Sequence, residues 1–251
     1  CMIKYQEDKK KELGFMRDSN ITYVVSTHEL GVLKEMLPTV DIRILSNIYD
    51  VSKGTQNGRR DRSGAVFVGN ICHQPNIDAV EFILDEILDN GLPKSFLIHV
   101  VLSRSAICAP VDMMERLKEH RNVRLHLDVS NIDLEKIHDH ALVVLAPLRY
   151  GAGVKGKVNY GLLHGIPVIC TSIASEGMNL ENKKNVYLAN TGDEFVKAIK
   201  ELSSNTALWS NIQAEGVKIM AEYFGMDTAS EIILKSLKDL GVGLKYPNTP
   251  N

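Results

Sequence analysis

Apolar residues along this chain come in two alternating rhythms. Short continuous runs read as buried strands: Ile21 to Val25, Asp41 to Leu45, Ala65 to Gly69, Phe96 to Leu102, Val123 to Val129, Ala141 to Leu148, Val168 to Cys170 and Val186 to Ala189. Between them lie stretches with helical spacing. Pro75 opens one whose apolar face is Val80, Ile83, Leu84, Ile87 and Leu88, and Gly91 with Pro93 stops it. Val111 to His120 and Asp133 to His140 predict shorter helices. Thr191 and Glu194 form a capping box ahead of Phe195, Ile199 and Leu202, and two more helices fill Asn205 to Leu240. From Ala65 onward six strands alternate with helices, which predicts an α/β fold with a Rossmann-like, doubly wound parallel sheet. In such sheets ligands sit at the carboxyl ends of the strands. The polar residues at those ends are Gly69-Asn70, Ser103, Val129-Ser130, Arg149 to Lys157, and Ser175-Glu176.

The flanking segments read differently. Residues 1–20 are charged and amphipathic, and Ser26 to Glu29 resembles a helix cap between two short strands. Residues 51–64 carry Gly54, Gly58 and three arginines and read as an interdomain linker, and 241–251 as a frayed tail. This divides the chain into 1–50, a linker at 51–64, a main domain at 65–240, and the tail. In the last helix Ile233, Leu237 and Leu240 form one stripe. A stripe of this kind needs a surface to pack against, and part of it is expected to be exposed and to favour self-association.

The densest chemistry lies between Ala141 and Met178. A buried strand feeds a turn with Gly151, Gly153 and Gly156, set with Lys155 and Lys157, and a helix follows. Glycines let a ligand approach the backbone, free N–H groups and the helix dipole favour an anion, and a lysine adds a full charge. The spacing G-x-x-x-x-G-K also matches the front of a P-loop. A P-loop continues with Ser or Thr, however, and here Val158 follows.

Composition adds exclusions. Of 251 residues, 44% are hydrophobic and 24% charged, with a net charge of −2, so nothing draws the chain towards nucleic acid. Arg59, Arg60 and Arg62 make a local basic cluster that reads as a solvated loop, with a phosphate or a peripheral membrane surface as the alternative. Cys1, Cys72, Cys108 and Cys170 lack CxxC spacing and read as reduced structural thiols of a cytoplasmic protein. No run is long enough to span a membrane, and the N-terminus has no signal-peptide layout. His138 and His140, one residue apart at a helix end without a third ligand nearby, read as solvated rather than metal-binding. His73 reads as a helix-entry residue.

The stretches PLRYGAGVKGKV and GIPVICTSIASEGM resemble the donor-binding domain of retaining, nucleotide-sugar-dependent glycosyltransferases with the GT-B fold, and the likeness runs from about Tyr23 to the C-terminus. Val25-Ser26, Glu29 and Asn47 match the close of that family's N-terminal acceptor domain, so residues 1–50 resemble only its tail. The chain is then expected to be a fragment or a short gene product. The resemblance implies transfer of a sugar from a nucleotide-diphosphate donor to a saccharide, lipid or protein hydroxyl, with no cofactor and no metal. Lys157 would hold the diphosphate and act catalytically with Glu176. Asn70, Ser130, Arg149, Gly151, Gly153, Gly156 and Tyr160 would complete the donor site. Two departures stand out. Tyr160 occupies a position where the family usually has a ribose-binding glutamate, and it either makes one hydrogen bond or packs on the strand below. NICHQPN, Asn70 to Asn76, replaces a loop in which many relatives carry a second cation, although a subgroup shares Pro75-Asn76. The alternative to an enzyme is a donor-binding module, or half of a split enzyme, that needs an acceptor-domain partner chain.

Overall fold

The computed structural model describes residues 2–53, 58–103, 108–151 and 153–243. The chain forms two compact units, one of Cys1–Tyr49 with Glu222–Asn251, the other of Asp50–Ala221.

The first unit contains α1 (Met2–Asp18), β1 (Thr22–Val24), α2 (Thr27–Met36) and β2 (Ile42–Ile44). Ser26 caps α2 by accepting from the Glu29 N–H, as its Ser-x-x-Glu spacing predicts. β1 and β2 pair in parallel, and a small core of Val24, Leu37 and Ile42 gathers Leu13, Met16, Leu30 and Leu33 around it. The C-terminal helix of the chain belongs to this unit. Of the expected stripe, Ile233 and Leu240, the latter just past the helix end, are exposed, 37% and 44%, and Leu237 is half-buried, so the stripe is open in part.

The second unit is a six-stranded, wholly parallel sheet. Its strands are β3 (Ser63–Asn70), β4 (Ile98–Ser103), β5 (Val123–Leu127), β6 (Ala141–Ala146), β7 (Val168–Cys170) and β8 (Tyr187–Leu188), in the order β5-β4-β3-β6-β7-β8. That order doubles back between β3 and β6, which leaves a crevice at their carboxyl ends. β6 is buried along its whole length, consistent with helices on both faces. Its described helices are α3 (Gln74–Phe82), α4 (Val111–Glu119), α5 (Asn131–His140), α6 (Gly156–Leu163), α7 (Gly192–Ser204) and all but the end of α8 (Thr206–Phe224); α9 (Met226–Asp239) is the C-terminal helix of the first unit. The helix expected from Pro75 to Leu88 changes character midway: α3 passes into a π-helical stretch, Ile83–Ile87, that keeps its apolar residues buried. The capping box of α7 is present in full.

Three expectations are corrected. Cys72 and Cys108 are joined by a disulfide rather than being reduced thiols. Their separation of 36 residues hides the fact that β3 and β4 run side by side, which brings the segments after them together. This removes the premise on which a cytoplasmic placement rested. Cys170 is a buried free thiol, pushed up to about 12 by burial, as a structural cysteine should be. Cys1 lies outside the described residues. The arginine cluster is likewise not simply solvated. Buried Arg62 donates to the carbonyls of His138 (2.9 Å) and Ala141 (3.0 Å) at the end of α5, and Arg59 donates to the Ser203 carbonyl at the end of α7. Cations belong at helix C-termini, where carbonyls lack intrahelical donors. Arg60 is the exposed member of the three. Finally, His138 is buried at 3% exposure rather than solvated, whereas His140 is exposed.

Gly161 seats α6 on the sheet. A Cβ there would lie 2.7 Å from Val168 Cγ2 and 3.0 Å from Val144 Cγ2, both on strands beneath the helix. Gly161→Ala is expected to cost about 1–3 kcal/mol by overpacking. Urea denaturation measures it as a lower midpoint at unchanged slope.

Candidate functional site

Two neighbouring cavities open at the crevice between β3 and β6. One, of 300 Å³, is lined by Val68, Leu134 and Val144 with polar tips from Asn70, Ser103, His138 and Tyr160. The other, of 490 Å³, is bounded by His73, Pro75, Tyr150, Gly151, Val154 and Lys155. Asn76, Gly156 and Lys157 line both. The register of β3 and β4 sets Asn70 directly beside Ser103.

The floor of the site is made by the first turns of two helices. His73 is the N-cap of α3 and Lys155 that of α6. The backbone N–H groups of Gly156 and Lys157 find no acceptor among the described residues. Such orphan donors favour an anion. Gly151 and Gly153 adopt positive φ, +129° and +71°, which the loop before α6 needs to turn back on itself. Their carbonyls accept from Lys155 Nζ at 2.9 and 2.5 Å, so this lysine holds the loop together from within.

Lys157 is placed differently. Its Nζ donates to Asn76 Oδ1 at 2.5 Å and lies 4.6 Å from the Phe67 ring centroid. Among the described residues no carboxylate pairs with it. Burial, and then the charge of Lys155, lower its pKa from 10.5 to about 8. Asn76 in turn donates from Nδ2 to the Asn70 carbonyl at 2.8 Å. Gly69 makes room for it, since a Cβ there would meet Asn76 Cγ at 3.0 Å. The site thus contains a partly buried cation and two free amides, and its nearest neutral groups hold the cation in position.

The residues singled out from sequence therefore divide. Asn70, Gly151, Gly156, Lys157 and Tyr160 line the cavities, and Gly153 shapes the loop beside them. Arg149 faces another partner: Nε and Nη2 bond both oxygens of Asp78 at 2.9 and 2.6 Å, and the guanidinium stacks over Phe82. Ser130 caps α5, accepting from the Asp133 N–H and donating to its carboxylate at 2.8 Å, and does not line either cavity. Glu176 is exposed and also outside the two linings. Sequence reasoning missed His138 as a lining residue. The available signal was its i, i+4 spacing from Leu134, which puts both on one face of α5.

This arrangement defines a doubly wound α/β domain with a lysine and two unpaired backbone N–H groups at its topological switch point. The sequence model of the family glycosyl transferases group 1 matches residues 62–205, more than half of the chain, and the chain belongs to that family. Among curated proteins it is similar to an uncharacterized 44.6 kDa protein in the cps region of Klebsiella pneumoniae, 22% identical over 173 residues, which are 68% of this chain and 45% of that protein. Among solved structures it is similar to a TarM variant of S. aureus in complex with fondaparinux, alpha-GlcNAc-glycerol and UDP, with a TM-score of 0.72 and 14% identity over 92% of this chain and 46% of that one. It is also similar to the sucrose-phosphate synthase of Thermosynechococcus elongatus, with a TM-score of 0.69 and 14% identity over 92% of this chain and 60% of that one. At these identities the likeness carries the GT-B fold alone. The chain spans about half the length of the first two of these proteins. No described helix is long and apolar enough to cross a membrane, and no described group of three or more His, Cys, Asp or Glu residues could hold a metal.

Proposed function

We propose that this chain supplies the donor-binding half of a retaining glycosyltransferase, holding the diphosphate of a nucleotide sugar between the first turns of α3 and α6. The observation that carries this reading is Lys157: a cation at a helix N-terminus, partly buried, with no described carboxylate to neutralise it and with two free amides beside it. Breaking a glycosidic bond to a nucleoside diphosphate leaves negative charge on the diphosphate. Preorganised donors where that charge develops stabilise the transition state. Lys157 would do this together with the Gly156 and Lys157 N–H groups, without a metal. Glu176, in the exposed loop after β7, would orient the donor. Lys155 would keep the glycine loop in shape. The apolar cavity beside Lys157 is suited to the nucleoside, since it pairs apolar walls with a few uncharged polar tips. UDP bound in the TarM complex is consistent with such a ligand. The acceptor hydroxyl, and any group that handles its proton, would come from an acceptor-binding domain or partner chain.

Calorimetric titration with UDP, GDP, ADP, CDP and TDP, with and without chelator, tests the reading. Binding of at least one, unchanged by chelator, is expected; no heat with any member, or heat only with magnesium, counts against it.

The pH dependence follows from Lys157. In the free protein its charge is present below about pH 8 and lost as pH rises through that value. A bound diphosphate favours the charged form and raises the pKa. Affinity is therefore full below about pH 8 and falls above it, by up to about tenfold per pH unit until the pKa of the complex is reached. The phosphate's own last ionisation, near about 6, is complete by then and does not interfere. Titrations at pH 8.5 in buffers of different ionisation enthalpy are expected to show proton uptake. Proton release, or affinity flat from pH 7 to 10, would exclude Lys157 as the diphosphate ligand.

A further inference from the structure

Besides Lys157, the smaller cavity carries uncharged polar tips, and on two of them, His138 and Tyr160, one polar atom has no partner among the described residues. His138 comes from α5, with its ring 4.5 Å from the ring of Tyr160 on α6. Its Nδ1 lies 2.9 Å from the Leu134 carbonyl, which can only accept, so Nδ1 carries the hydrogen. In the neutral ring this leaves a lone pair on Nε2. Burial holds the imidazole neutral by lowering its pKa to about 4, so Nε2 remains an acceptor at any ordinary pH. Nε2 finds no donor among the described residues, and neither does the Tyr160 hydroxyl find a partner. His164 also packs on Tyr160, with centroids 4.1 Å apart and the planes tilted by 34°, and its ring lies 6.3 Å from that of His138. Both His138 and Tyr160 line the cavity that Lys157 and Gly156 also border.

A ligand whose phosphates meet Lys157 must extend its other end into this cavity or into solvent. What the cavity offers that end is a fixed acceptor on one ring and a hydroxyl on the next. An acceptor that opens onto the cavity is met there by water; a ligand that presents a donor replaces that water with its own bond, and one that does not leaves the acceptor unpaired. A site built in this way rejects analogues that lack the donor far more strongly than a purely apolar pocket would.

We propose that His138 is a specificity-determining residue: its Nε2 accepts a hydrogen bond from a hydroxyl or ring N–H on the nucleoside part of a nucleoside diphosphate, with the Tyr160 hydroxyl as the second contact. The assignment rests on the donor-site reading above and adds the residue that distinguishes one nucleoside part from another.

The experiment compares wild type, His138→Phe and His138→Gln by calorimetry. The probes are inorganic pyrophosphate, the nucleoside diphosphate of the five above that wild type binds most tightly, and the 2′-deoxy, 3′-deoxy and ring-N-methyl analogues of that nucleotide. Wild type is expected to bind at least one analogue about tenfold or more weakly than the parent. His138→Phe should lose that discrimination and bind the parent about tenfold more weakly, with pyrophosphate affinity unchanged. His138→Gln, which keeps an acceptor, should recover part of the discrimination, and it carries the test if the Phe variant does not fold. Unchanged discrimination in both variants overturns the proposal. So does an equal loss for pyrophosphate and nucleotide, which marks a structural role. Wild type that binds neither pyrophosphate nor any nucleotide overturns the donor reading itself and this assignment with it.

Discussion

Lys157→Met is expected to weaken nucleoside diphosphate binding by about 10- to 100-fold, the loss of one hydrogen bond to a charged group. The same change should make the unliganded protein more stable at neutral pH. The two effects share one cause. The ammonium is held partly out of water with only an amide oxygen and an aromatic face for company, so its pKa is depressed to about 8. Because the unfolded chain holds the proton up to its ordinary value of 10.5, the folded state carries a penalty that is fully present below about pH 8 and fades between there and 10.5. The bond to Asn76 and the contact with Phe67, the latter about 0.5–2 kcal/mol, offset part of it. The methionine variant is expected to be the more stable at pH 7, by a margin that shrinks towards pH 10. Thermal melts at several pH values measure the gain, and calorimetry measures the binding. A variant that is both unchanged in binding and less stable would show that Lys157 is a packing residue. Lys155→Ala should reduce binding less, since its ammonium is spent on the Gly151 and Gly153 carbonyls.

Arg62→Met is expected to destabilise the second unit by about 2–4 kcal/mol without directly touching the site around Lys157. The guanidinium is 8% exposed, and desolvation lowers its pKa, which shows that burial has a cost. Its bonds include two from Nη1 to the carbonyls of His138 and Ala141 at the end of α5 and one from Nε to the Gly58 carbonyl at 3.2 Å. Removing it leaves those buried acceptors short of donors, and each hydrogen bond to a charged group is worth about 1.5–3 kcal/mol. Arg62→Lys should recover part of the loss, because an ammonium in place of Nη1 can meet the two carbonyls but leaves the bond made by Nε unmade. Urea unfolding checks both variants. A midpoint for Arg62→Met within error of wild type would mean that water replaces the guanidinium at no cost.

The elements of the fold are legible in the sequence because each is decided within a few residues of itself. The buried run at Ala141 to Ala146, the i, i+3, i+4 stripe ahead of Leu88 and the Thr191–Glu194 box all specify local structure by short-range periodicity or by a side chain reaching its own backbone. The alternation of strands and helices then fixes the parallel sheet, since a helical crossover returns the chain in the same direction. The glycine turn with Lys157 was legible for the same reason: strand, turn, cation and helix are contiguous.

Tertiary structure alone decided which of these residues meet others far away in the chain. Arg149 immediately precedes the glycine motif in sequence, yet it lies against Asp78, 71 residues distant, and lines neither of the two cavities. Cys72 and Cys108 look like unrelated thiols until β3 and β4 lie side by side. Arg62 and His138 look solvated by the polarity of their surroundings, and both are buried because the end of α5 comes down beside the start of β3. Charge and hydropathy describe what a side chain prefers in water. Whether it keeps that water depends on which strand ends and helix ends converge on it, and that is set by the order β5-β4-β3-β6-β7-β8 rather than by any neighbour in the sequence.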